Sequence, residues 1–150
     1  MSWVVDTCLI IDVLTGNTPF CAASAELLDS LAGEGLTVCP ITYVELAPAF
    51  LGDRRRQDEF LAAVGIDFSE AWTGNDTRTA HQAWMRQIEL KRQALTPKRP
   101  IADILIGAFA SSRTGLLTRN KVDFTSVFPE LPIREPVQES KTKKPGKRRN

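Results

Sequence analysis

The chain has 150 residues, 43% of them hydrophobic and 25% charged, ordinary globular proportions and enough length for one domain with its own core. No run of eighteen apolar residues occurs, and the start, MSWVVDTCLIIDVL, lacks a basic leader segment, so neither a membrane span nor a signal peptide is expected. The net charge of +1 is uneven: residues 141–150 hold six of the 19 basic residues and no acid, which leaves residues 1–140 at −5. These features predict a soluble cytoplasmic protein in which any bound polyanion meets a local basic patch, a metal or the tail.

The first predicted element is the strand Trp3-Val4-Val5, which ends in Asp6. Leu9, Ile10, Val13 and Leu14 then keep a helical spacing that stops at Gly16-Asn17. Pro19 opens a second helix with Ala22, Ala23, Leu27, Leu28 and Leu31 as its inward stripe, and Gly33 and Gly35 end it. Leu36 to Cys39 is expected as a strand, followed after Pro40 by a helix from about Thr42 to Leu51. Gly52-Asp53 precedes a helix to about Val64, and 65–68 is a short third strand.

The longest helix is predicted from about Asp76 to Ala94, with Ala80, Ala83, Trp84 and Ile88 on one face. Residues 96–100, with two prolines, form a loop. Ile101 to Ser112 is an apolar helix with Ile101, Ile104, Leu105, Ala108 and Phe109 inward, and 115–118 is the fourth strand. A polar turn with Asn120 and Asp123 leads to a short helix, 131–133 to an edge strand, and the polar chain beyond Glu135 to a disordered tail. Alternating strands and helices predict a parallel sheet covered by helices on both faces.

Four acids stand at the edges of these elements. Asp6 ends the first strand, Glu45 lies in the first turn of the helix after the second, Asp103 in the first turn of the apolar helix, and Asp123 in the turn after the fourth strand. Carboxyl ends of parallel strands share one rim, where ligands bind. Each acid also has a purely structural role open to it. Glu45 and Thr42 match a capping box, Asp103 suits a helix dipole, and Asn120 and Asp123 are common in turns. Asp6 is hardest to account for structurally, because a buried strand end seldom keeps an acid without a charged partner.

Several carboxylates in one crevice stay ionised together only with a cation. Cys8, Cys21 and Cys39 contain no C-x-x-C pair and read as small buried residues, while the single histidine, His81, sits in a polar helical stretch. With no histidine or cysteine expected at the acids, oxygen ligands favour Mg²⁺ or Mn²⁺ over zinc or copper. A hydrated ion of this kind suits phosphodiester hydrolysis.

The pattern resembles the PIN domain, and within it the VapC-like ribonuclease toxins of type II toxin–antitoxin systems. The matching stretches are VVDTCLIIDVL at 4–14, ITYVELAPAF at 41–50, PIADILIGAFA at 100–110 and LLTRNKVDFTSVF at 116–128. The resemblance implies a three-layer α/β/α fold with a central parallel sheet, a nuclease domain over 1–135 and a basic tail over 136–150. It implies that Asp6 and Asp103 bind Mg²⁺ or Mn²⁺, that Glu45 and Asp123 complete the acidic site, and that the protein is a homodimer inhibited by a cognate antitoxin. Asn120 departs from the acids by being neutral, and Asp12 is expected to be a solvated or capping residue.

Thr7 and Thr118 are candidates to orient a metal water or a phosphate oxygen, though turn hydroxyls satisfying the backbone would look the same. Arg86, Lys91, Arg92, Lys98, Arg99, Arg119 and Lys121 are the candidate grip on RNA, against the alternative of a solvated charged face. Single-stranded or looped RNA is favoured, because side chains reach unstacked bases there. The alternative to an endoribonuclease is a catalytically inactive PIN-like RNA-binding or scaffold module. A phosphatase that needs a second acid two residues after the first meets Cys8 instead, and no P-loop sequence occurs.

Overall fold

Five short strands carry the fold: β1 Trp3–Val5, β2 Leu36–Thr37, β3 Ile66–Asp67, β4 Gly115–Leu117 and β5 Ile133–Arg134. They form one sheet in the order β3-β2-β1-β4-β5, and every neighbouring pair is parallel. In register, Trp3 stands beside Leu36 on one side and Gly115 on the other. The first strand is therefore central, and all five carboxyl ends share one rim. The computed structural model describes residues 1–93 and 100–137. Lys98, Arg99 and the basic stretch 141–150 lie outside the described residues.

The connecting helices are α1 Thr7–Thr15, α2 Phe20–Leu31, α3 Pro40–Glu45, α4 Arg54–Ala63, α5 Gly74–Arg92, α6 Ile101–Ser111 and α7 Lys121–Thr125. Strand alternation sends their partners to opposite faces. Val4 and Leu116 pack with Ala80 and Ala83 of α5 and with Ile104 and Phe109 of α6. Trp3, Val5 and Leu117 pack with Leu9 and Ile10 of α1, Leu28 of α2 and Leu61 of α4. Two cores on the two faces of one parallel sheet make the expected three-layer α/β/α fold. Among the described residues no single helix is long and apolar enough to cross a membrane.

Several expectations shift in detail. Pro40, not Thr42, opens the third helix, because proline's fixed φ suits the first helical turn. Thr42 is then buried inside α3 and Glu45 is its last residue, so the expected capping box does not form. Ala22 is exposed, and Ser24 turns inward instead, within hydrogen-bond distance of Asp12. Ile101, expected inward, is 56% exposed, since it starts α6 beyond the covered part of the helix. The following turns are covered nearly all round: Ile106, Gly107 and Ala110 are buried with Ile104, Ala108 and Phe109, and Leu105 is half-buried. Gly107 is there because a Cβ at that position would run into the Phe128 ring.

The α5–α6 pair is clamped at one end by charge. Thr73 and Asp76 form a capping box at the start of α5, and the buried Asp76 carboxylate also accepts from Ser112 Oγ at 3.0 Å and Arg113 Nη1 at 3.3 Å. Arg113 in turn donates to Glu70 at 2.7 Å and to the Phe109 carbonyl at 2.6 Å, and lies 3.5 Å above the Phe109 ring. The start of α5 is thereby fixed to the end of α6.

Candidate active site

Asp6 leaves the central strand with extended backbone (φ −72°, ψ 152°), caps α1, and is 6% exposed. Its backbone N–H continues the sheet to the Leu117 carbonyl at 2.9 Å, so strand pairing places the carboxylate between β1 and β4. Oδ1 accepts from the Thr7 N–H at 2.8 Å; Oδ2 accepts from Thr118 Oγ1 at 2.7 Å and from Cys8 Sγ at 3.5 Å. Burial raises the Asp6 pKa above its usual value, against the lowering effect of the Thr118, Thr7 and Cys8 hydrogen bonds, and the Glu45 charge pushes the same way as burial. The group is a carboxylate held ready by three donors and disfavoured by its surroundings.

Glu45 stands across the crevice at the exposed end of α3 and accepts from Thr7 Oγ1 at 2.6 Å. Thr7 thus touches both acids, by its amide to Asp6 and its hydroxyl to Glu45, and its hydroxyl lies 3.2 Å from that of Thr42. Thr118 is fully buried; besides donating to Asp6, its hydroxyl accepts from the Asn120 N–H at 3.0 Å. Both threonines therefore serve the acids, and Thr118 the backbone as well.

Asp103 sits half-buried in the first turn of α6. Residues 112–114 alone join α6 to the start of β4, so the helix runs back against the strand direction and its first turn lies at the carboxyl-end rim. Asp123, also half-buried, is in the first turn of α7, which follows β4 at the same rim; Asn120 precedes it, exposed. Among the described residues, no three His, Cys, Asp or Glu side chains gather closely enough to hold a metal ion. The expected acids thus form one linked pair, Asp6 and Glu45, with Asp103 and Asp123 placed at the same end by topology.

The basic candidates separate. Lys91 and Arg92 are exposed at the end of α5, which by the Asp76–Arg113 clamp is the rim end. Lys121 is exposed beside Asn120, its N–H bonded to Glu135. Arg86 is exposed but lines a cavity of about 410 Å³ with Ser111, Phe128 and Pro132, toward the opposite end of α6. That cavity is separate from the acidic crevice. Arg119, expected at the rim as a phosphate ligand, turns inward: Nε and Nη2 meet Asp12 at 2.7 and 3.1 Å, with the guanidinium 4.1 Å from the Phe20 ring. Asp12, expected to be solvated or capping, is fully buried and also accepts from Asn17 Nδ2 at 2.9 Å.

Cys8 is the site neighbour that residue-by-residue reading misses, since no cysteine is expected beside the acids. Burial, then the Asp6 charge, push its thiol up to about 12, so it is a neutral donor and not a nucleophile. Its position two residues after Asp6, in the first turn of a helix capped by that acid, is the signal that could have placed it. His81 is exposed on α5, as expected.

The all-parallel α/β/α sheet, with Asp6 and Glu45 linked through Thr7 at its carboxyl-end rim, matches a PIN-like fold. One solved structure it resembles is a chain of the VapBC2 complex from Rickettsia felis, crystallised bound to a DNA fragment from their promoter. That match has a TM-score of 0.68 at 16% identity and covers 91% of this chain and all of the other. At this identity the likeness establishes the shared fold. Neither a family model nor a curated protein matches the sequence.

Proposed function

We propose that the protein is a Mg²⁺- or Mn²⁺-dependent endoribonuclease acting as the toxin of a toxin–antitoxin pair. The observation that carries this reading is the Asp6–Thr7–Glu45 linkage, in which a buried carboxylate and a second acid share one crevice and repel each other. The donor set fits such an ion: it is all oxygen, and Mg²⁺ is commonly held by one or two carboxylates with waters filling the remaining positions. The thiol of Cys8 stays protonated and lends only a hydrogen bond. The likeness to a chain of a VapBC complex supports the toxin–antitoxin assignment and a cognate antitoxin as partner.

In this reading Asp6 and Asp103 hold the ion, and Glu45 and Asp123 flank it. Bound there, a divalent cation neutralises phosphate charge and activates water for in-line attack. Thr118 and Cys8 fix the Asp6 carboxylate, and Thr7 aims Glu45 into the crevice. Lys91, Arg92 and Lys121, with Lys98 and Arg99, attract the RNA backbone, and unstacked single strands reach the rim most easily. The protein acts as a homodimer.

Calorimetric titration with Mn²⁺ tests the reading against an inactive RNA-binding or scaffold module of the same fold. The wild-type protein should give a saturable binding heat, and Glu45→Gln should weaken the affinity roughly tenfold or more. A wild-type protein that gives no binding heat with either Mn²⁺ or Mg²⁺ supports the inactive module instead.

A further inference from the structure

We propose that Arg119 is a positioning residue: with Asp12 it anchors the loop after β4, so that this loop holds Thr118, the buried donor that orients Asp6. The inference rests on the metal-nuclease reading above and assigns Arg119 a place other than the RNA surface.

The connections form a continuous path. Asp12 is fully buried in α1 and receives the guanidinium fork in two-pronged fashion, at 2.7 and 3.1 Å. Such planar pairing sets orientation as well as distance. Asn17 and Ser24 take up further positions on the carboxylate, at 2.9 and 3.4 Å, and the Phe20 ring covers the guanidinium. Nothing in this arrangement leaves the guanidinium fork free to follow a phosphate.

Between Thr118 and Asn120, the anchored residue fixes the backbone on both sides. The Asn120 N–H donates to Thr118 Oγ1 at 3.0 Å, and the Cys8 sulfur lies 3.8 Å from the same hydroxyl. Those two side chains, Cys8 and Thr118, are the ones that reach Asp6 Oδ2, at 3.5 and 2.7 Å. Oδ2 thereby has both lone-pair positions engaged, whereas among the described residues Oδ1 has only the Thr7 amide. The loop therefore selects Oδ1, on the side of Thr7 and Glu45, as the oxygen left for a cation. Outer groups of this kind commonly tune metal affinity by ten- to a hundredfold.

Removing Arg119 alone strands a buried carboxylate, so the main test uses the double variant Asp12→Asn/Arg119→Gln in the full chain, which removes both charges together. Three quantities are compared with wild type: Mn²⁺ affinity by calorimetry, affinity for a labelled single-stranded RNA in EDTA across salt concentrations, and amide hydrogen exchange. The expected result is Mn²⁺ affinity weakened about tenfold or more, with RNA affinity and its salt slope unchanged. Exchange should quicken at residues 6–8 as well as 118–120, while the α5–α6 junction stays protected. Arg119→Lys, which keeps the charge but not the fork, should weaken Mn²⁺ affinity and quicken exchange in the same way by less, with RNA affinity again unchanged, and serves if the double variant does not fold. Unchanged Mn²⁺ affinity in a folded variant overturns the proposal. So does weaker RNA binding with a salt slope reduced by about one, the mark of a lost phosphate contact. A wild-type protein that binds no Mn²⁺ contradicts the nuclease reading instead, and exchange at 6–8 then decides the anchor by itself.

Discussion

Asp6→Asn should lose at least about a hundredfold in RNA cleavage while making the metal-free protein more stable. The first effect follows from position. Outer partners of a metal ligand already account for ten- to a hundredfold, so loss of the ligand's own charge exceeds the upper end of that range. The second follows from burial: Asp6 is 6% exposed and its pKa is raised, so folding at neutral pH carries an unfavourable carboxylate. Asparagine keeps one acceptor oxygen for the Thr7 amide and turns its NH₂ to the Thr118 hydroxyl, which can accept as well as donate, without that charge.

The sign with pH runs accordingly. A carboxyl whose folded pKa lies above its ordinary value of 3.8 binds more protons folded than unfolded, so the metal-free protein loses stability as pH rises from near that value through the raised one. Thermal melts of the two proteins in EDTA should therefore diverge as pH rises to 7, with the variant melting higher. Equal melting temperatures, or a lower one for the variant, would show that Asp6 does not sit in a disfavoured state.

Asp76→Ala should destabilise the fold by roughly 3–5 kcal/mol, the usual effect of breaking a buried pair by removing one partner. Asp76 is fully buried and meets the Thr73 amide, Ser112 and Arg113, so its loss opens the α5 cap and leaves Arg113, whose side chain is 11% exposed, short of a partner. Against a total of about 5–15 kcal/mol for a typical domain, this lowers the melting temperature by about 10 °C or more. The exposed pair Arg55–Glu59, at 86% and 66% exposure, sets the contrast: its removal should change stability by no more than about 0.5 kcal/mol. The clamp lies at the end of α6 away from Asp103, so cleavage at a permissive temperature should survive. Denaturant melts of the two variants read the difference directly.

The layered fold and the order of its elements are legible in the sequence because local signals agree. Val4 and Val5 run into an acid, Gly16 stops α1 in the left-handed conformation (φ 66°) its position requires, and Asp53 caps α4. The three-layer architecture follows from the alternation of strands and helices. Less legible are choices between two good local signals. Thr42 and Glu45 match a capping box, yet Pro40 begins the helix first and carries Glu45 to its end. Least legible are pairings across long separations. Asp12 and Arg119 are 107 positions apart, and neither looks unusual alone: one is an acid on a short helix, the other a base in a polar turn. The one trace of it is spacing, since Asp12 lies one turn from the buried Leu9 and so flanks the inward stripe. Cys8 escapes notice for a related reason, because its role is a hydrogen bond to its neighbour Asp6 and not a ligand motif.

Asp6 is the acid the central strand delivers, three donors hold, and Glu45 faces through Thr7. The most direct test is an RNA cleavage assay on wild type and Asp103→Asn, each with Mg²⁺ and with EDTA. Metal-dependent cleavage by wild type alone, lost in the variant and in chelator, is the predicted result. Cleavage that persists in EDTA or in the variant would contradict the account.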